Sequence, residues 1–131
     1  MSIADAREAL AAAVDGIDGL RCPDGYIRGS VNPPEAMIDY TVAYDLVFAR
    51  GADSHDFKIK VFDKLTDERS AQIRFDRLRD GSDTGSVKYA VENYATAAYD
   101  YARVTEASDI SVATVGGVDL LMVEWTVEVV L

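Results

Sequence analysis

The pair Gly116-Gly117, set between two runs rich in β-branched residues, constrains this chain more than any other feature. Adjacent glycines supply the positive φ angles that a two-residue hairpin turn needs to match the twist of its strands. With the glycines at the two corners, Val115 faces Val118, Ala113 faces Leu120, Val112 faces Leu121 and Ile110 faces Val123. The outgoing strand places Val123, Trp125, Val127, Val129 and Leu131 on one side and Glu124, Thr126 and Glu128 on the other. That alternation predicts a sheet with one buried and one wet face.

Upstream, Ser2 with Asp5 forms a capping signal, and Ile3, Ala6, Leu10, Ala13, Val14 and Ile17 share one helical face. An amphipathic helix over residues 2–15 follows, with Gly16 or Gly19 as its stop. Residues 21–34 hold Pro23, Gly25, Gly29, Pro33 and Pro34 and read as a loop with one short extended piece near Tyr26. Pro33-Pro34 disfavours helix and feeds extended chain. Ile38, Tyr40, Val42, Tyr44, Leu46 and Phe48 then alternate with Asp39, Thr41, Ala43, Asp45 and Val47, predicting one long strand or a bent strand pair. Gly51 pivots a turn over residues 50–54, and Phe57, Ile59 and Val61, alternating with Asp56, Lys58 and Lys60, make the partner strand.

Thr66 is expected to cap a second helix, with Asp67 and Glu68 in its first turn, Ala71, Phe75 and Leu78 as its buried stripe and Gly81 at its end. After a polar loop over residues 82–85, Ser86 caps a short helix reaching about Tyr94, and residues 102–106 add a strand before the hairpin. This order predicts a single α+β domain over residues 1–131: a largely antiparallel sheet, helices packed on one face, and a C-terminal β-hairpin.

Hydrophobic residues make up 49% of the chain, enough for a core without disulfides or metal. The 23 acidic residues outnumber the 13 basic ones, for a formal charge of −10. Nucleic-acid binding rests on phosphate neutralisation by Lys and Arg, so this balance works against it, and equally against an anionic membrane. No apolar run approaches the roughly 20 residues that span a bilayer. Cys22 is the only cysteine, which leaves no intrachain disulfide. With no apolar leader in view, a reducing intracellular compartment is expected.

The residues that could carry chemistry are sparse. His55, the only histidine, sits in Asp53-Ser54-His55-Asp56, which reads as a polar turn. Cys22 precedes a proline and has no evident activating base. Asp39 and Asp45 share one strand face, as do Glu124 and Glu128. Such pairs serve acid–base work or a divalent cation in an enzyme, and equally form a solvated strand face. The loop from Gly81 to Gly85 lacks the lysine and spacing of a phosphate loop. Tyr89, Tyr94, Tyr99 and Tyr101 crowd one Ala-rich stretch, as interface tyrosines or as packing against the sheet. No catalytic, cofactor-binding or metal-ligating residue is assigned, and a non-enzymatic role is expected. The candidate contact residues are Arg50, Asp53 and His55 in one loop, Ser82 and Asp83 in another, and Tyr94 and Tyr99.

In its order of elements the chain resembles the tail terminator proteins of long-tailed bacteriophages, particularly phages of actinobacteria. The likeness is carried by the Ala-rich first helix (Ala4 to Val14), Val31-Asn-Pro-Pro34, and Phe48-Ala-Arg-Gly51-Ala-Asp53. It continues through Asp67-Glu-Arg-Ser-Ala-Gln72, Gly85-Ser-Val-Lys-Tyr-Ala90 and Val115-Gly-Gly-Val118. The resemblance implies a virion protein, assembled in the host cytoplasm, that sits at the head–tail junction as a homo-hexameric ring. Such a ring caps the last ring of the major tail tube protein, ends tail polymerisation and meets a head-completion or connector protein. Genomic DNA passes through its lumen without specific binding, helped by acidic walls. No membrane and no cofactor enter this picture. The alternatives are a small α+β enzyme using Asp39 and Asp45, another head–tail connector or head-closure protein, and an intracellular binding module.

Overall fold

Gly116 and Gly117 adopt φ of 59° and 78°, and between them they set the frame of the sheet. The computed structural model describes residues 2–27, 29–43 and 54–130. The two glycines join β4 (Ser111–Val115) to β5 (Val118–Val130), with Val115 facing Val118, Ala113 facing Leu120 and Val112 facing Leu121 as expected. The fourth expected pair, Ile110 with Val123, is not part of the ladder, which starts at Ser111 and Met122. Ser108 takes over there, its N–H donating to the Glu124 carbonyl at 2.8 Å and its hydroxyl accepting from the Glu124 N–H at 2.9 Å. The chain therefore spends one residue more than β5 does over this stretch. It bulges at Asp109-Ile110, where the Asp109 carboxylate accepts the Ile110 N–H at 2.8 Å.

β5 is the central strand. β2 (Ser54–Lys64) pairs along one edge of it, and β3 (Tyr101–Ala107) and β4 share the other. β1 (Glu35–Ala43) lies outside β2, giving the order β1-β2-β5-β3 with every strand pair antiparallel. The fold is α+β, as the order of elements predicts.

One face of the sheet carries the main core. Ile38, Phe57, Ile59, Val61, Val123, Trp125 and Val127 are each at most 1% exposed and pack with residues of all three helices. In α1 (Ile3–Asp15) the Ser2 hydroxyl accepts the Asp5 N–H, and Ala6, Leu10, Ala13 and Val14 are buried. In α2 (Glu68–Arg79) the buried stripe is Ala71, Phe75 and Leu78, as predicted. α3 (Val87–Glu92) is capped by Ser86, which accepts the Tyr89 N–H. A bidentate ion pair ties α2 to the sheet: Arg74 donates to the Asp63 carboxylate at 2.6 and 2.8 Å, with that carboxylate 2% exposed. Removing the guanidinium would strand a buried charge, at a cost of about 3–5 kcal/mol.

Several expectations are corrected. Thr66 does not cap α2; it lies within a 3₁₀ turn, Leu65–Asp67, that links β2 directly to the helix. α2 stops at Arg79, two residues before Gly81, with the Asp80 N–H closing on the Asp76 and Arg77 carbonyls. Ser54, His55 and Asp56 are strand, not turn, because pairing with both β1 and β5 continues through His55 and Asp56. The 21–34 loop, expected to hold a short extended piece near Tyr26, meets the sheet at Arg21 and at Gly25, next to Tyr26: their carbonyls accept the N–H groups of Ala36 and Ile38. Tyr44, Asp45, Leu46, Phe48 and the predicted turn with Arg50, Gly51 and Asp53 lie outside the described residues.

The second sheet face is not uniformly wet. Met37, Phe62 and Leu120 are at most 5% exposed there, packed with Val31, Ala113, Val115 and Met122. This small second core explains why Phe62-Asp63 and Leu120-Leu121 are each buried at consecutive positions, which a strand with one wet face does not allow.

The turn and the faces make a joint prediction. Gly116→Val combines a strained positive φ with a Cβ only 2.5 Å from the Gly29 carbonyl oxygen, so it should lower the melting temperature far more than a surface change. Trp125→Ala should cost about 3–5 kcal/mol, while Glu124→Ala should cost under about 1 kcal/mol. Thermal melts check all three, and a larger loss for Glu124→Ala than for Trp125→Ala would contradict the face assignment.

Candidate interaction surface

The sheet face away from the helices divides into a charged band and an apolar end. Alternation puts Asp39, Lys58, Lys60, Glu124, Thr126 and Glu128 on this face. Cross-strand pairs tie the band together: Lys60 with Asp39 at 3.7 Å, Lys58 with Glu124 at 3.8 Å, and Lys58 donating to the Thr126 hydroxyl at 2.8 Å. Beyond it, Ile27, Met37, Phe62, Val115 and Gly116 line a shallow cavity of about 310 Å³ with Asp39 and Lys60 at its side. Its walls come from β1, β2, the hairpin and the loop after α1, so it exists only because that loop comes up against the turn at Gly116.

The sheet edges are largely closed by the protein itself. On β1 the outward N–H groups of Ala36 and Ile38 go to the Arg21 and Gly25 carbonyls at 2.7 and 3.0 Å, and that of Tyr40 to the Asp39 carboxylate at 2.8 Å. On β3 the Val104 N–H donates to Glu92 Oε2 at 2.9 Å. Lys88 Nζ donates to the same carboxylate oxygen at 2.7 Å and to the Val104 carbonyl at 3.4 Å. One ion pair on α3 thus satisfies the two backbone groups that a further strand would use, a means of protecting a sheet edge. Burial works to raise the Glu92 pKa, but the bonds from Lys88 and the Val104 N–H outweigh it and hold the carboxyl below its ordinary range.

Among the described residues, those singled out from sequence do not converge. His55 is half-buried in β2 between Val42 and Val129, its ring stacked on Tyr40 at 6.3 Å and its Nδ1 without a partner among the described residues. Ser82 is exposed and Asp83 half-buried in a self-bonded connector: Ser82 donates through N–H and hydroxyl to Asp80, and Asp83 accepts the Gly85 N–H at 2.7 Å. The Ser82 bonds hold the Asp80 carboxyl below its ordinary range. Tyr94 is exposed, as are Tyr89 and Tyr101, but Tyr99 is 6% exposed and belongs to the core. Burial, with Tyr94 nearby, pushes the Tyr99 phenol up. Arg50 and Asp53 lie outside the described residues.

Nor do the candidate chemical groups assemble among the described residues. Asp39 is taken up by Lys60, and Asp45 lies outside the described residues. Cys22 is 1% exposed, and burial pushes its thiol up to about 12, far from a reactive thiolate. Among the described residues no three His, Cys, Asp or Glu side chains gather as a metal site, and no helix is long and apolar enough to cross a membrane. Sequence reasoning missed the second core and the edge contacts. The run Leu120-Leu121-Met122-Val123, apolar at every position, was the available signal for the former.

No protein-family model matches this chain, and no curated protein matches it.

The Glu92 contact has a pH signature. A carboxyl whose folded pKa is lowered contributes stability above its unfolded pKa and loses it as pH falls through the folded value. Glu92→Gln should therefore melt below the parent protein at neutral pH, and the gap should close below the ordinary glutamate value of 4.5. Melts across pH check this; a gap of constant size would show that the charge plays no part.

Proposed function

We propose that this protein is a structural subunit of the tail-terminator kind. Six copies close a ring on the end of a phage tail tube, stop its growth and meet the head-side connector, and the genome passes through the lumen without specific contacts. The observation that carries this reading is the pair of unlike apolar patches at opposite ends of β5. Val118, at its start, is 57% exposed; Val130, at its end, is 45% exposed beside its cross-strand partner Tyr101 at 48%. Alternation puts all three on the open sheet face, and the length of β5 separates the patches by about 40 Å at ~3.3 Å per residue. A ring closes through two different patches on each subunit, each meeting the other kind on its neighbour. The formal charge of −10 supports the same reading, because an acidic lumen repels phosphate rather than holding it. The resemblance in element order stands beside these two arguments.

Complementation tests the proposal. Val118→Asp and Tyr101→Asp should each prevent ring formation while leaving the fold intact. Mixed in equal amounts they should form dimers, since each variant supplies the patch the other lacks. Size measurement by light scattering, in the presence of tail tubes if rings need that template, gives the answer. Rings formed by either variant alone would overturn the assignment of these patches.

A further inference from the structure

With β1 covered at Ala36, Ile38 and Tyr40 and β3 at Val104, the outer edge of β4 stands out. In a hairpin with a two-residue turn, Val115 and Val118 form a hydrogen-bonded pair, so Ala113 with Leu120 and Ser111 with Met122 are bonded too. Val112 and Thr114 therefore turn their N–H and C=O groups away from β5. Among the described residues nothing bonds these outward groups. The first outward residues of β3 differ: Val104 is covered by Glu92 and Lys88, and Ala102 is itself buried, whereas Ala107, past the bulge, is exposed with only a methyl group to offer. Val112 is 61% exposed, so an incoming strand finds both open backbone groups and an apolar side chain.

The surroundings of this edge are acidic. Asp109 stands at one end, its side chain 97% exposed and 3.7 Å from Arg79. Asp119 stands at the other, on the Val112 face, accepting the Thr114 hydroxyl at 2.6 Å. From residue 100 onward Arg103 is the only basic side chain, against Asp100, Glu106, Asp109, Asp119, Glu124 and Glu128. A second β4 would bring like charge against like charge. A basic strand would find complementary charge at both ends of the edge.

We infer that the β4 edge is a strand-addition site for an extended segment of another protein that carries an apolar residue opposite Val112, flanked two residues away on each side by Lys or Arg. Main-chain bonds to Val112 and Thr114 supply the pairing, and Asp109 and Asp119 select the flanking cations. This inference does not draw on the ring reading and stands or falls separately.

The probe is a capped peptide, Thr-Lys-Thr-Val-Thr-Lys-Thr, with an analogue carrying Glu in place of Lys. In amide NMR of the intact protein, the Lys peptide should shift the Val112 and Thr114 resonances saturably and slow their hydrogen exchange. The Glu analogue should bind weaker by about tenfold or more. Val112→Pro removes an N–H that makes no ladder bond, so the fold should survive and binding be lost. The double variant Asp109→Lys with Asp119→Lys leaves the backbone untouched and should prefer the Glu peptide, which decides the matter if the proline variant does not fold. Absence of shifts at Val112 and Thr114 would overturn the inference, as would equal binding of the two peptides. Protection of those amides that rises with protein concentration alone would overturn it in favour of a second copy of this chain.

Discussion

The structure depends on one strand being bonded along both edges. β5 runs from Val118 to Val130 with β2 on one side and β3 and β4 on the other. Its alternation therefore decides what every neighbour buries. Trp125 is the largest of the fully buried side chains, and it faces the helices only because Gly116-Gly117 sets β5 in this register. A slip of one residue would put Glu124 and Glu128 into the helix-side core. The Gly29 carbonyl close to Gly116 adds a second lock, since the loop after α1 meets the same turn that sets the register.

Features settled by neighbours in sequence were legible before the fold was known. The caps at Ser2 and Ser86, the stripe Ala71-Phe75-Leu78 and the hairpin pairs nearest the turn all depend on residues within a few positions of one another. What escaped depends on chain segments that only the fold brings together. Ser54 to Asp56 looks like a turn by composition, yet pairing with β1 throughout and with β5 from His55 makes it strand, a tertiary override of local preference. Phe62 and Leu120 look like alternation errors until the second core covers them. Glu92 looks like an ordinary exposed helix residue until the fold sets it against the Val104 N–H, so the interaction surface was far less legible than the fold.

The edges and the open face form one design in charge and hydrogen bonding. Where a neighbouring strand could add on β1 or β3, the protein supplies its own carbonyls and carboxylates: Arg21, Gly25 and Asp39 on one side, Glu92 with Lys88 on the other. Two lysines of β2 are spent on carboxylates of the neighbouring strands, Lys58 on Glu124 and Lys60 on Asp39. Among the described residues, exposed apolar side chains remain at the two ends of β5 and at the β4 edge between Asp109 and Asp119. The ring proposed above calls for such a distribution, in which a subunit joins others in a defined geometry and much of its sheet is closed to indiscriminate pairing.

Electron microscopy of phage tail tubes mixed with this protein is the decisive test of the proposed ring. A closed ring of six subunits is expected at one end of the tube, with the Val118 end of each subunit against the Tyr101 and Val130 end of the next. A ring of another number, a contact through the same patch on both subunits, or no added density at the tube end would contradict the proposal.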